Sequence, residues 1–166
     1  DFVIRLSSRN AWQEFYEQVR AVGKSLIALG MNRGDKANIL AYTSYKWILT
    51  DFANMSIGVA TVGIYQSNLA ADCDYIINHS DATLIFAENK VQLDKVLSIR
   101  EKLGHIKKVI LFEGELPGDD WVLSYDEFLN LGKSLDDNAF EERTEQVKPQ
   151  DTAGIVYTSG TTGVPK

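Results

Sequence analysis

The first strongly patterned segment of the chain has apolar residues at helical spacing. From Trp12 to Leu29 the apolar positions are separated alternately by three and four residues, so they share one face of a helix. Gly30 follows this stripe, at the place where a left-handed residue commonly ends a helix. The pattern therefore predicts an amphipathic helix over residues 12–29.

Short apolar runs alternate with further helical segments along the rest of the chain. The predicted strands cover residues 37–41, 59–65, 83–87, 107–112 and 152–157, and the predicted helices cover 45–56, 70–79, 89–103 and 125–131. The strands are apolar at nearly every position, which is typical of strands that are buried on both faces of a parallel sheet. The sequence thus predicts an α/β fold, with a largely parallel sheet flanked by helices.

Polar residues mark the connections near the carboxyl end. Ser124 and Glu127 have the spacing of a capping box, which predicts that the last helix begins at Tyr125. Residues 136–150 are mostly polar and charged, and they are predicted to form a connection that leads into the last strand.

Composition and charge narrow the function classes. The 166 residues include 17 basic and 23 acidic side chains, for a net charge of −6 without a basic stripe, so nucleic acid is not an expected partner. One cysteine and two histidines argue against a zinc centre. The longest mainly apolar stretch, residues 57–65, is shorter than the roughly 20 residues that a membrane-spanning helix needs.

Several side chains could have either a structural or a chemical role. Cys73 lies between two aspartates in a predicted helix, so it is expected to be a small, partly buried side chain rather than a reactive thiol. His79 is expected to have a structural role at a helix end rather than to act as a base. Four aromatic residues are expected to pack in the core, with ligand stacking as the lesser alternative: Trp12, Phe15, Trp47 and Phe52.

The segment that carries chemistry is residues 157–166, with the sequence YTSGTTGVPK. Glycines let backbone N–H groups approach phosphate oxygens, hydroxyls add donors, and a lysine offsets negative charge. The segment is not a Walker A loop, because only two residues separate Gly160 from Gly163. A polar surface loop is the alternative interpretation. The segment lies directly after a predicted strand of an α/β sheet, and this position favours phosphate binding over a plain surface loop.

Residues 157–166 resemble the phosphate-loop signature of the adenylate-forming enzymes, a superfamily of acyl-CoA synthetases, luciferases and peptide-synthetase adenylation domains. Residues 29–35, 45–47 and 147–153 are also similar to this superfamily. Residues 62–67, 75–80 and 121–132 resemble the branch of long-chain fatty-acid:CoA ligases, whereas residues 2–9 depart from the family pattern.

The resemblance implies a ligase that joins a fatty acid to coenzyme A with ATP and Mg²⁺. An acyl-adenylate and pyrophosphate form first, and the CoA thiol then displaces AMP. The loop residues expected to hold the ATP phosphates are Thr158, Ser159, Gly160, Thr161, Thr162, Gly163 and Lys166. Thr158 is also the candidate for a contact with Mg²⁺. No catalytic residue is expected within the chain.

The ends of the chain suggest a piece of a longer polypeptide, since it begins at Asp1 and stops within the loop. We expect residues 1–166 to be the N-terminal part of an AMP-binding domain that ends in the phosphate loop, with the rest of the large domain and a C-terminal domain missing. The chain alone is then expected to be inactive. Two alternatives are an adenylation enzyme for an aryl, amino or medium-chain acid, and a non-catalytic module that retains the fold. The whole protein is expected in the cytoplasm, either free or in peripheral contact with a membrane.

Overall fold

Six parallel strands form one sheet in the part of the chain that the structure describes. A computed structural model describes residues 9–136 and 138–158 of the chain. The strands are β1 (Lys36–Leu40), β2 (Ala60–Ile64), β3 (Leu84–Ala87), β4 (Lys108–Leu111), β5 (Val122–Ser124) and β6 (Gly154–Val156). Their order is β5-β4-β3-β1-β2-β6, and every neighbouring pair is parallel. The predicted α/β fold with a largely parallel sheet is confirmed.

The described residues contain six α-helices, of which the first precedes the strands and the others lie between or after them. They are α1 (Arg9–Ala28), α2 (Tyr45–Ser56), α3 (Ala70–Ser80), α4 (Lys90–Ser98), α5 (Tyr125–Gly132) and α6 (Ala139–Thr144), with a short 3-10 helix over Arg100–Lys102. The Ser124 side chain accepts a hydrogen bond from the Glu127 N–H, and the Glu127 carboxylate accepts one from the Ser124 N–H. The predicted capping box at the start of α5 is therefore confirmed.

The sheet separates two hydrophobic cores. Adjacent residues on a strand point to opposite faces, so Ile39 packs in one core and Leu40 in the other, and Phe86 and Ile85 divide in the same way. The first core is covered by α1, α2, α5 and α6, and the second by α3 and α4. Burial on both faces explains why the central strands are apolar at consecutive positions.

The sequence pattern missed two short elements. Strand β5 has only three residues, too few to show a periodic pattern. Helix α6 lies inside the segment predicted as a charged connection, and its single buried side chain is Phe140. Phe140 packs directly against α1, where a Cβ atom added to Gly23 would lie 2.4 Å from its ring. Tertiary packing therefore supports a helix that has no apolar stripe of its own.

The expectation of four buried aromatic side chains is wrong for two of them. Phe15 and Trp47 are partly buried and pack against the first core, as expected. Trp12 is 57% exposed and Phe52 is 46% exposed. Phe15 makes an edge-to-face contact with each of these two exposed rings. The rings of Trp12 and Phe52 thus lie at the outer margin of the core.

Candidate functional site

The candidate phosphate loop begins at the edge of the sheet where the strands end. Strand β6 pairs with β2 so that Gly63 lies opposite Val156, and Tyr157 and Thr158 follow immediately. Extending this parallel register places Thr158 beside Tyr65 at the carboxyl end of β2. Ligands of open α/β sheets gather outside this edge. The chain therefore enters its glycine-rich segment at the edge where a ligand is expected.

One of the seven predicted phosphate-binding residues lies within the described part of the chain. Thr158 is exposed, so its hydroxyl is open to solvent. The other six lie outside the described residues: Ser159, Gly160, Thr161, Thr162, Gly163 and Lys166. Their assignment stays a prediction from the sequence.

Tyr157, the first residue of the signature, is held by α3. Its side chain is buried, and its hydroxyl lies 2.7 Å from Nδ1 of His79. The ring of Tyr75 stacks on His79 at a centroid distance of 5.2 Å and meets Tyr157 edge-on. Burial is the largest cause that raises the pKa of Tyr157, and the nearby Tyr75 and Asp81 add to it. His79 thus has a structural contact, as expected, and its partner is the loop's first residue.

An ion pair fixes the segment that leads into β6. The Arg33 guanidinium donates two hydrogen bonds of 2.6 Å to the two carboxylate oxygens of Asp151. The Lys148 N–H also donates to Asp151. These contacts, with the Arg33 hydrogen bonds as the largest cause, lower the pKa of Asp151 to about 2. Asp151 is therefore ionised at neutral pH and ties the turn before β6 to the turn before β1.

Two exposed tyrosines occupy the same sheet edge as Thr158 and were missed by the sequence analysis. Tyr65 directly follows β2 and is 61% exposed, and Tyr42 lies just beyond β1. The Glu88 carboxylate, just after β3, accepts a hydrogen bond of 3.0 Å from the Tyr42 N–H. Tyr42 directly follows a predicted strand and Tyr65 ends one, and this position is the signal that could have identified them.

A cavity of about 560 Å³ lies at the opposite edge of the sheet, beside the Arg33–Asp151 pair. Lys36 and Ala60, which open β1 and β2, contribute to its wall. It is therefore at the amino ends of the strands and separate from the edge where Thr158 leaves the sheet.

The described residues also answer three questions raised by the sequence, about metal clusters, membrane-spanning helices and the cysteine. Residues 9–136 and 138–158 contain no group of three or more His, Cys, Asp or Glu side chains that could hold a metal ion. Over the same residues, none of the helices combines the length and apolar content of a membrane span. Burial raises the pKa of the Cys73 thiol to about 11, in agreement with the expectation of an unreactive cysteine.

A comparison with models of known protein families shows the family to which the chain belongs. A family model described as AMP-binding enzyme matches residues 2–166. The chain belongs to the AMP-binding enzyme family. The resemblance inferred from residues 157–166 is thereby confirmed at the level of the family.

Three curated relatives that match this chain are named long-chain-fatty-acid–CoA ligases. The long-chain-fatty-acid–CoA ligase ACSBG2 of Xenopus laevis is 35% identical over 94% of this chain and 21% of its own length. The human protein of the same name is 36% identical over 97% of this chain and 25% of its own length. The long-chain-fatty-acid–CoA ligase FadD15 of Mycobacterium tuberculosis is 31% identical over 92% of this chain and 25% of its own length. The chain thus spans a quarter or less of the length of these relatives.

Solved structures share the fold of this AMP-binding family member. An anthranilate CoA ligase in complex with anthranoyl-AMP matches 93% of this chain and 28% of its own chain, with a TM-score of 0.78 and 23% identity. A luciferase from Phrixothrix hirtus matches 93% of this chain and 29% of its own, with a TM-score of 0.74 and 20% identity. At these identities the likeness shows a common fold for the parallel sheet and its helices.

Proposed function

We propose that the chain is the N-terminal part of the AMP-binding domain of an ATP-dependent ligase that joins a long-chain fatty acid to coenzyme A. The observation that supports the proposal is the position of Tyr157 and Thr158, the first two residues of the signature, at the carboxyl edge of the parallel sheet. The names of the curated relatives support the choice of acid and of thiol.

The proposed reaction has two steps. A carboxylate is a poor electrophile because its leaving group would be an oxide. Attack of a carboxylate oxygen on the α-phosphorus of ATP forms an acyl-adenylate and breaks the bond to pyrophosphate, which leaves with the bond's electron pair. The thiol of coenzyme A then attacks the acyl carbon, forms the thioester and releases AMP.

The chain's own contribution is to the first step. In the proposal the hydroxyls of Thr161 and Thr162 and the amides of Gly160 and Gly163 donate hydrogen bonds to the β- and γ-phosphates. The ammonium group of Lys166 offsets charge on the departing pyrophosphate. Donors fixed in advance at a position where negative charge grows lower the barrier, because they need not reorganise during the reaction. The partner substrates in this proposal are fatty acid, ATP and coenzyme A.

Mg²⁺ enters the proposal as the ion that accompanies the phosphates and neutralises part of their charge when bound. Thr158 is exposed and presents a hydroxyl oxygen, the hard type of ligand that Mg²⁺ prefers. Since residues 9–136 and 138–158 hold no cluster of metal-ligating side chains, phosphate oxygens and residues elsewhere would complete the coordination.

The test compares the two half-reactions in the full-length protein with Thr161→Val and Lys166→Ala made separately. A hydrogen bond to a charged group contributes about 1.5–3 kcal/mol, so each change should slow acyl-adenylate formation roughly 10- to 150-fold. Thioester formation from synthetic acyl-adenylate and coenzyme A should stay nearly unchanged, because pyrophosphate has already left. Thr152→Val is the matched control, since Thr152 is exposed and precedes β6 at the other edge of the sheet.

Two outcomes would contradict the proposal. If thioester formation falls as much as adenylation in both loop variants, the segment has a general structural role rather than a phosphate-binding one. If the unaltered full-length protein exchanges pyrophosphate into ATP with an aryl or amino acid and not with long-chain fatty acids, the acid class is wrong. The 166-residue chain by itself is expected to show no exchange, because adenylation needs substrate positioning as well as phosphate contacts.

A further inference from the structure

Three rings meet at the point where the signature segment begins, and we call Tyr75, His79 and Tyr157 the ring cluster. His79 Nδ1 lies 2.7 Å from the Tyr157 hydroxyl. The imidazole also stacks on Tyr75 with the ring planes inclined by 22°, and it meets Tyr157 edge-on at a centroid distance of 5.7 Å. The cluster therefore joins α3 to the residue that follows β6, across 78 positions of sequence.

The hydrogen bond can form with either tautomer of the imidazole. A phenol is protonated at neutral pH, and burial raises the pKa of Tyr157 further, so its O–H donates to Nδ1 when the imidazole proton is on Nε2. When the proton is on Nδ1, that N–H donates to the phenol oxygen instead. Tyr157 is buried in the second core, whereas His79 is exposed on the outer side of α3. The tyrosine side chain is thus fixed at both ends, by the core around its ring and by His79 at its hydroxyl.

We propose that His79 is a positioning residue that acts through Tyr157 to fix the point at which the chain leaves β6 for the phosphate loop. This inference rests on the proposed function of residues 158–166. Glycine restricts its own backbone less than any other residue, so a fixed residue ahead of a glycine-containing segment is a suitable place to hold that segment. A displacement of about 1 Å in the position of a reacting group can slow a reaction up to about 100-fold. In this inference His79 acts on the ATP site through Tyr157 and makes no contact of its own with ATP or the acid.

The test uses the full-length protein with His79→Leu, Tyr157→Phe and the double variant. Loss of one neutral hydrogen bond should raise the KM for ATP in pyrophosphate exchange by about 2- to 10-fold. Thioester formation from synthetic acyl-adenylate should change little. The double variant should be no worse than the worse single variant, because both single changes remove the same hydrogen bond.

Two further variants separate positioning from general stability. His79→Asn places an amide oxygen near the position of Nδ1, so it should restore the KM for ATP toward that of the unaltered protein. Tyr16→Phe is the matched control for Tyr157→Phe, because it removes a tyrosine hydroxyl whose partner, Glu141, lies on α6. The control should leave the KM for ATP unchanged.

The outcomes distinguish this inference from the proposed function. Equal losses in both half-reactions, additive losses in the double variant, or no change in the KM for ATP would each overturn the positioning role. If the unaltered protein shows no fatty-acid-dependent exchange, the proposed reaction fails, and the inference is then judged by the Kd for MgATP. A 2- to 10-fold weaker Kd in His79→Leu would support it (roughly one neutral hydrogen bond), and an unchanged Kd or no MgATP binding at all would overturn it.

Discussion

Arg33 and Asp151 are 118 positions apart in the sequence and are joined by two parallel hydrogen bonds of 2.6 Å. Arg33 lies in the turn before β1, and Asp151 lies in the turn before β6. The next residue after Arg33, Gly34, donates its N–H to the Gly58 carbonyl just before β2. This junction sets where β6 begins and therefore where the signature segment leaves the sheet.

Replacing Asp151 with Asn should give a pH-dependent loss of stability. The pKa of Asp151 is lowered to about 2 in the folded state and is about 3.9 in an unfolded chain. A lowered pKa means that the ionised form stabilises the fold, so the contribution is complete above about pH 4–5 and is lost as the pH falls toward 2. The difference in unfolding temperature between the unaltered protein and Asp151→Asn should therefore be constant near neutral pH and shrink toward zero near pH 2.

The control for this experiment is Asp120→Asn, which changes an exposed carboxylate in the loop before β5. Thermal unfolding followed by circular dichroism at a series of pH values would measure both differences. A difference for Asp151→Asn that persists unchanged at pH 2 would show that the carboxylate charge does not act through Arg33.

Gly58→Ala should destabilise the same junction for two reasons. Gly58 has a φ of +75°, a conformation that costs an alanine about 1–2 kcal/mol. An added Cβ would also lie 2.7 Å from Cγ of Arg33 and would push the side chain that holds Asp151. Gly104→Ala is the matched control, because nothing lies within 4 Å of its added Cβ and its φ is not positive. Equal unfolding temperatures for the two variants would contradict the strain at Gly58.

Local sequence pattern predicted the elements whose burial is regular and missed the contacts between distant residues. Strands β1 and β3 were predicted because Ile39 and Phe86 face one core while their neighbours face the other, which leaves consecutive apolar letters in the sequence. Strand β5 and helix α6 have too few buried positions for such a pattern. Their place in the fold depends on partners that the local sequence does not reveal.

The candidate site likewise combines features predicted from local sequence with contacts between distant residues that were missed. The sequence placed Thr158 after a strand, and the structure puts it at the carboxyl edge of the sheet. The contacts of Tyr157 with His79 and of Asp151 with Arg33 could not be predicted, because each joins residues that lie on different elements and are distant in sequence. The glycines and hydroxyls therefore predicted phosphate binding from the sequence alone. The contacts that hold the start of the candidate phosphate loop became visible only in the fold.

Phe140→Ala should show how much a single side chain stabilises the packing of α6 against the rest of the fold. Phe140 is 3% exposed and is the buried residue of this short helix, so truncation should cost about 3–5 kcal/mol. Phe52→Ala is a control of the same chemistry at a side chain that is 46% exposed, and it should cost much less. Chemical denaturation of both variants would measure the costs, and a similar loss in the two would show that α6 is held by its charged residues instead.

The buried thiol of Cys73 should be protected from alkylation in the folded protein. Only the thiolate reacts quickly, and burial both excludes the reagent and raises the pKa of Cys73 from 9.0 to about 11. At pH 8 a short pulse of iodoacetamide should therefore leave the peptide that contains Cys73 almost unlabelled, as measured by mass spectrometry. The same pulse in denaturant should label this peptide rapidly, because unfolding exposes the thiol and restores its ordinary pKa. Rapid labelling of the folded protein at pH 8 would mean that α3 opens away from the sheet, and the Tyr157 contact of His79 would then open with it.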